Sequence, residues 1–166
     1  FTLDGVAHAL PANDGTNHLH GGPQGFHAAV WEVAPFADAR GAGLVLRHTS
    51  PDGDAGYPGA LHVAVTYTLD AAGTLAVDYH ATTDRATPVN LTQHAYWNLA
   101  GHDAGPIAGH ELTLAASRFT PVDATLIPTG ELRPVRGTPF DFTTPHAIGA
   151  RVDVPDEQLA VGQGYD

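Results

Sequence analysis

The segment "LHVAVTYTL" (61–69) alternates without a break. A strand turns successive side chains to opposite faces. Leu61, Val63, Val65, Tyr67 and Leu69 therefore share one face, and His62, Ala64, Thr66 and Thr68 the other. "LAVDYHATT" (75–83) repeats the pattern with Leu75, Val77, Tyr79 and Ala81, and "DAAG" between the two is a turn signal. Parity then restricts the register. Joining the apolar faces requires paired residue numbers with an even sum. Leu69 opposite Leu75 meets this with a five-residue loop. Leu69 opposite Thr74 would set an apolar face against a polar one, unless a bulge restored the parity.

Shorter strands are expected at 1–4, 6–10, 28–34, 43–48, 88–92 and 110–116. "SPDGDAGYPG" (50–59) and "TGE" (129–131) are turn clusters. No segment shows sustained helical periodicity with caps, and "TPHAIGA" (144–150) predicts at most one helical turn. Many strands with turn signals between them predict an all-β chain, a large antiparallel β-sandwich. With no linker or repeat in view, residues 1–166 read as a single domain. The first residue is Phe1, and Asp166 follows "GQGY" with no terminating loop, so the chain reads as a fragment of a longer one.

The missing residue types narrow the chemistry. All seven basic residues other than histidine are arginines, so there is no lysine for a Schiff base or a phosphate loop. There is no cysteine for a disulfide, a thiolate or a metal. The two serines, Ser50 and Ser117, lie outside any G-x-S-x-G motif. The net charge of -11 argues against nucleic acid as a partner, and no apolar run approaches the roughly 18 residues of a membrane span. Proton transfer or metal binding by His, Asp, Glu and Tyr remains.

Eleven histidines are available. "NHLHGG" (17–22) pairs His18 with His20 in a spacing that invites a metal, as in a cupin-like enzyme. The next glutamate, Glu32, is too distant in sequence to complete the usual pattern, and Gly21–Gly22 ends any strand there. "NLTQHAYWNLAG" (90–101) gathers His94 with Asn90, Gln93, Tyr96, Trp97 and Asn98. Amides, an imidazole and aromatic faces suit a carbohydrate. The same residues equally suit a strand with core aromatics and a capped turn. His8, His27, His48, His62, His80, His102, His110 and His146 read as surface or structural. Asp52 and Asp54 lack an acidic residue at loop position 12, so no EF-hand is expected.

"NHLHGGPQGF" with the following Trp31, "SPDGDAGYPG", "VTYTL", "TPVNLTQHAYWNLAG", "PVDATLIPTGE", "GTPFDF" and "GYD" together resemble the aldose 1-epimerases, or galactose mutarotases. The resemblance runs from about residue 3 to 166. It implies a large antiparallel sandwich lacking, in this chain, its N- and C-terminal parts. It implies interconversion of the α and β anomers of aldohexoses such as galactose and glucose, with no metal, nucleotide or other cofactor and with a sugar as the small-molecule partner. A cytoplasmic location follows from the same reading. His94 matches the proton donor to the ring oxygen and His20 a catalytic and substrate-binding histidine. Tyr96 and Asp166 match sugar-binding positions. His18 occupies a variable position and is expected to be a neighbour without a role. Gln93 stands where the family usually has asparagine. The family's general-base glutamate and a sugar-binding arginine fall outside residues 1–166, and Glu131 is not a substitute. The fragment alone is therefore expected to be inactive. A non-catalytic carbohydrate-binding module on the same fold is the alternative.

Overall fold

The computed structural model describes residues 1–165. The chain forms two compact units, Phe1–His94 and Ala95–Asp166.

In the first unit, β1 (Thr2–Leu3) pairs with β2 (Val6–Ala7). Then β3 (Glu32–Asp38), β4 (Gly41–Ser50), β5 (Leu61–Leu69) and β6 (Leu75–Thr83) make an antiparallel meander in that order. The β5–β6 register runs from Leu69 opposite Leu75 to Leu61 opposite Thr83, as parity requires. β3 and β4 turn tightly at Ala39–Arg40, with Asp38 opposite Gly41. That turn places β3 four residues beyond the expected 28–34. Pro35 is tolerated within β3 because an edge strand can forgo one N–H.

β5 lies between two partners and carries the core, with Leu61, Val63 and Val65 all buried. Phe26, Trp31, Leu46, Tyr67, Val77, Ala81 and Leu91 pack against them. The apolar face is covered only at this end. Val33, Leu44, Leu69, Leu75 and Tyr79 continue the same face and remain exposed.

The expected strand at 88–92 is absent. Pro88 lacks an N–H, and no neighbouring strand among the described residues offers this segment a ladder. Leu91 instead serves the core directly. The strands expected at 1–4, 6–10 and 110–116 are shorter, with ladder pairing confined to 2–3, 6–7 and 111–112 among the described residues.

The second unit is built from short ladders. β7 (Glu111–Leu112) pairs with β10 (His146–Ala147), and β8 (Arg118–Phe119) with β9 (Arg133–Pro134). "TPHAIGA" supplies one 3-10 turn at Ile148–Ala150. The sequence reading missed α1 (Glu157–Gly162), whose six residues are too few to show a period. Its signal was Asp156, whose carboxylate accepts from the Gln158 and Leu159 N–H groups as an N-cap. The Gln158 amide is buried and bonds both the N–H and C=O of Val122.

The β5–β6 turn depends on a carboxylate. Asp70 Oδ1 accepts from the N–H groups of Ala72 and Thr74, each at 2.8 Å. Hydrogen bonds from Thr74 first, then from Ala72 and Gly73, hold the Asp70 carboxyl below the usual carboxylate range. The fold favours its charged form. Its stabilisation is therefore complete above about pH 4, the unfolded value, and is lost as pH falls through the lower folded value. Asp70→Ala should increase amide exchange in β5 and β6 at neutral pH. The difference from the natural protein should shrink below about pH 4; a difference that persists there would contradict the assignment.

Candidate functional site

The site is built on a compact loop over residues 13–25. Asp14 and Asn17 exchange backbone hydrogen bonds across Gly15–Thr16, closing a tight turn. The Asn13 side chain then reaches Leu19. Its Oδ1 accepts from the Leu19 N–H at 2.7 Å, and its Nδ2 donates to the Leu19 C=O at 3.0 Å. The Gly22 N–H donates to the same carbonyl at 2.9 Å. Within the turn so formed, His20 has φ 53° and Gly21 φ 82°. Two positive φ angles in succession mark the I′ pattern, which favours Asn, Asp and Gly. A histidine there costs roughly 1–3 kcal/mol, and such strain persists only where surrounding contacts hold it. Behind the turn, a Cβ at Gly25 would collide with the His20 carbonyl oxygen, so the chain closes back on itself.

His18 and His20 have separate fates. His18 Nδ1 lies 2.7 Å from the Pro11 carbonyl, which can only accept, so the proton is on Nδ1. The Nε2 is buried with no hydrogen-bond partner among the described residues. The ring meets Tyr57 edge-on, centroids 5.6 Å apart, and a Cβ at Gly22 (φ +88°) would lie 2.9 Å from it. The paired-histidine metal site is not built, because one ring is committed to packing while the other is exposed. Among the described residues no group of three or more His, Asp or Glu is placed to hold a metal ion.

His20 instead meets His94. Their ring centroids are 6.5 Å apart and their planes stand at 82°. Both residues are exposed. His94 follows Leu91 by three residues, and Leu91 is seated on the β5 core. Phe26, six residues after His20, packs on that same core. Phe26 also contacts Trp31 and His48, and the Trp31 Nε1–H donates to its carbonyl at 3.0 Å. Two imidazoles so placed are within reach of neighbouring oxygens on one small polyol, given hydrogen-bond lengths of about 2.7–3.2 Å.

The remaining candidates divide. Tyr96 belongs to the second unit and is 91% exposed; Trp97 beside it is 61% exposed. Asn98, one of the sugar-suited amides, builds a turn: its Nδ2 donates to Gly105 C=O and its Oδ1 accepts from Ala100 N–H. Asp166 lies outside the described residues. Glu131 is paired with Arg133 at 2.9 Å, and this guanidinium holds its carboxyl below the usual range, which suits an ion pair and not a base. Asp52 and Asp54 cap their own loop, accepting from Gly59 N–H and Ser50 Oγ. A cavity of about 380 Å³ on the polar face of the sheet, lined by residues including Glu32, Arg47, His62 and His80, involves neither His20 nor His94. Sequence reasoning passed over Asn13. Its signal was an Asn-Asp-Gly cluster, where a short amide competes for nearby backbone groups.

Gly22→Ala should destabilise the protein by roughly 1–3 kcal/mol in urea denaturation, since both the positive φ and the His18 ring oppose a Cβ. Adding His18→Ala should recover only the part due to the clash. Unchanged stability of Gly22→Ala would contradict this geometry.

The aldose 1-epimerase family model matches residues 1–166. The chain is 50% identical over 149 residues to galactose mutarotase of Sus scrofa, covering 90% of this chain and 42% of that protein. It is 37% identical over 166 residues to aldose 1-epimerase of Escherichia coli (strain K12), covering 100% of this chain and 46% of that protein. Among solved structures, galactose 1-epimerase from Lactobacillus acidophilus NCFM superposes with a TM-score of 0.91 at 34% identity, covering 100% of this chain and 48% of that one. An aldose epimerase homologue from C. elegans gives a TM-score of 0.79 at 37% identity over 88% of this chain and 43% of that one. The chain thus spans less than half the length of these relatives. The antiparallel strands, the superposition and the match along all 166 residues agree: this is an all-β chain of the mutarotase type, and it belongs to the aldose 1-epimerase family.

Proposed function

We propose that the protein carrying this chain is an aldose 1-epimerase, interconverting the α and β anomers of aldohexoses such as galactose and glucose. The observation that carries the reading is the exposed His20–His94 pair, with ring centroids 6.5 Å apart. The family match over residues 1–166 supports treating both units as parts of one domain. A cytoplasmic location rests on the family reading alone.

Mutarotation removes a proton from the C1 hydroxyl and delivers one to the ring oxygen. The ring opens to the aldehyde, the C1–C2 bond rotates, and closure gives the other anomer. No covalent intermediate is required, which fits a chain without lysine or cysteine. His94 delivers the proton to the ring oxygen. An imidazole nitrogen can carry a proton to an oxygen and take it back. His20 donates a hydrogen bond to the ring oxygen or a neighbouring hydroxyl as charge develops. Tyr96 and Asp166 contribute to holding the sugar, by ring contact and by charge-assisted hydrogen bonds to hydroxyls. Glu131, engaged by Arg133, does not serve as the general base. Proton transfer alone accomplishes the reaction, so neither metal nor nucleotide takes part in this scheme.

In the full-length protein, polarimetry should show accelerated decay of α-D-galactose or α-D-glucose rotation. His94→Ala should abolish the acceleration. His20→Ala should lower kcat by about 10²–10³-fold, the usual effect of removing a preorganised donor. An unchanged rate in His94→Ala would reject its assignment. Sugar binding without any mutarotation in the natural protein would favour a binding module.

A further inference from the structure

We propose that Asn13 and His18 are positioning residues for His20, holding its imidazole opposite His94 through the backbone on either side of it. The inference rests on the reading in which His20 acts on the sugar. Leu19, immediately before His20, has both its N–H and its C=O bound by one Asn13 amide, at 2.7 and 3.0 Å. Among side chains a carboxamide offers a donor and an acceptor side by side at neutral pH, where a carboxylate only accepts, and asparagine is the shorter of the two carboxamides. His18, one residue earlier, is anchored by its Nδ1–H on Pro11 C=O and by its edge contact with Tyr57. Its ring also fills the space that a side chain on Gly22 would take. Residues 18, 19 and 22 are therefore fixed by contacts that do not use the His20 side chain. His20 itself sits at φ 53°, a conformation that the surroundings must impose. The contacts supply that constraint, and the imidazole is left exposed toward its partner ring. This gives His18 a role that its variable position in the motif did not suggest.

Three variants of the full-length protein test the idea. Asn13→Asp keeps an acceptor for Leu19 N–H and turns the donor into a second acceptor facing the Leu19 carbonyl. His18→Phe keeps the ring packing and removes the donor to Pro11. His18→Asn restores a donor close to the Nδ1 position. Mutarotation of α-D-galactose should show kcat about tenfold lower or worse in Asn13→Asp and His18→Phe, with KM changed less than about threefold, because misplacing a transition-state donor costs rate more than binding. His18→Asn should regain most of the loss. Crystal structures of the two impaired variants should show the His20 and His94 centroids moved from their 6.5 Å separation. A purely structural role would lower thermal stability and leave kcat per folded molecule within about twofold of the natural protein; that outcome overturns the proposal. So does a preserved separation in both variants, whatever the rates. If the natural protein shows no mutarotation, the proposed function fails on its own, and the crystal structures still decide the positioning.

Discussion

Everything at the candidate site depends on one strip of three side chains. Leu61, Val63 and Val65 lie on the central strand β5, buried between β4 and β6 and under Phe26, Trp31 and Leu91. Apolar burial is non-directional, yet here it places two chemical groups from distant parts of the chain. Phe26 seats the loop that contains His20, and Leu91 seats the segment that contains His94. Each histidine is a few residues from its anchor. The imidazoles meet at 6.5 Å because their anchors share a core, although 74 residues separate them in sequence.

Local backbone chemistry then sets the direction in which His20 points. A strand through "NHLHGG" would have placed both rings on one face, as a metal site requires. The backbone instead turns left-handed at His20, Gly21 and Gly22. One ring goes into packing against Tyr57 and the other stands exposed beside His94. The strained φ belongs to the residue assigned to the chemistry, and the contacts that impose it come from its neighbours.

The hairpin was legible in the sequence because period-two alternation and parity restrict the unbulged registers to even sums, and Leu69 does face Leu75. His94 stood out by its amide and aromatic neighbours and His20 was separated from His18 by motif position alone; their approach to 6.5 Å was not legible in the sequence. Less legible was anything decided by a partner strand or a side-chain cap. The 88–92 segment looks strand-like locally but finds no ladder. The β3 strand was misplaced because the turn at Ala39–Arg40, and not hydrophobicity, sets its end. α1 is too short for periodicity and is marked only by the Asp156 cap. The Asn13 clamp left no apolar pattern at all, since its effect depends on where Leu19 returns in space.

In the proposed reaction His20 and His94 act on one sugar while His18 only supports them. A titration of the ¹⁵N-histidine-labelled full-length protein with D-galactose, followed through the ring nitrogens, tests it most directly. The His20 and His94 signals should shift together and saturate at a common sugar concentration, while His18 keeps its Nδ1–H tautomer throughout. Stationary His20 and His94 signals, or a sugar-dependent change at His18, would contradict it.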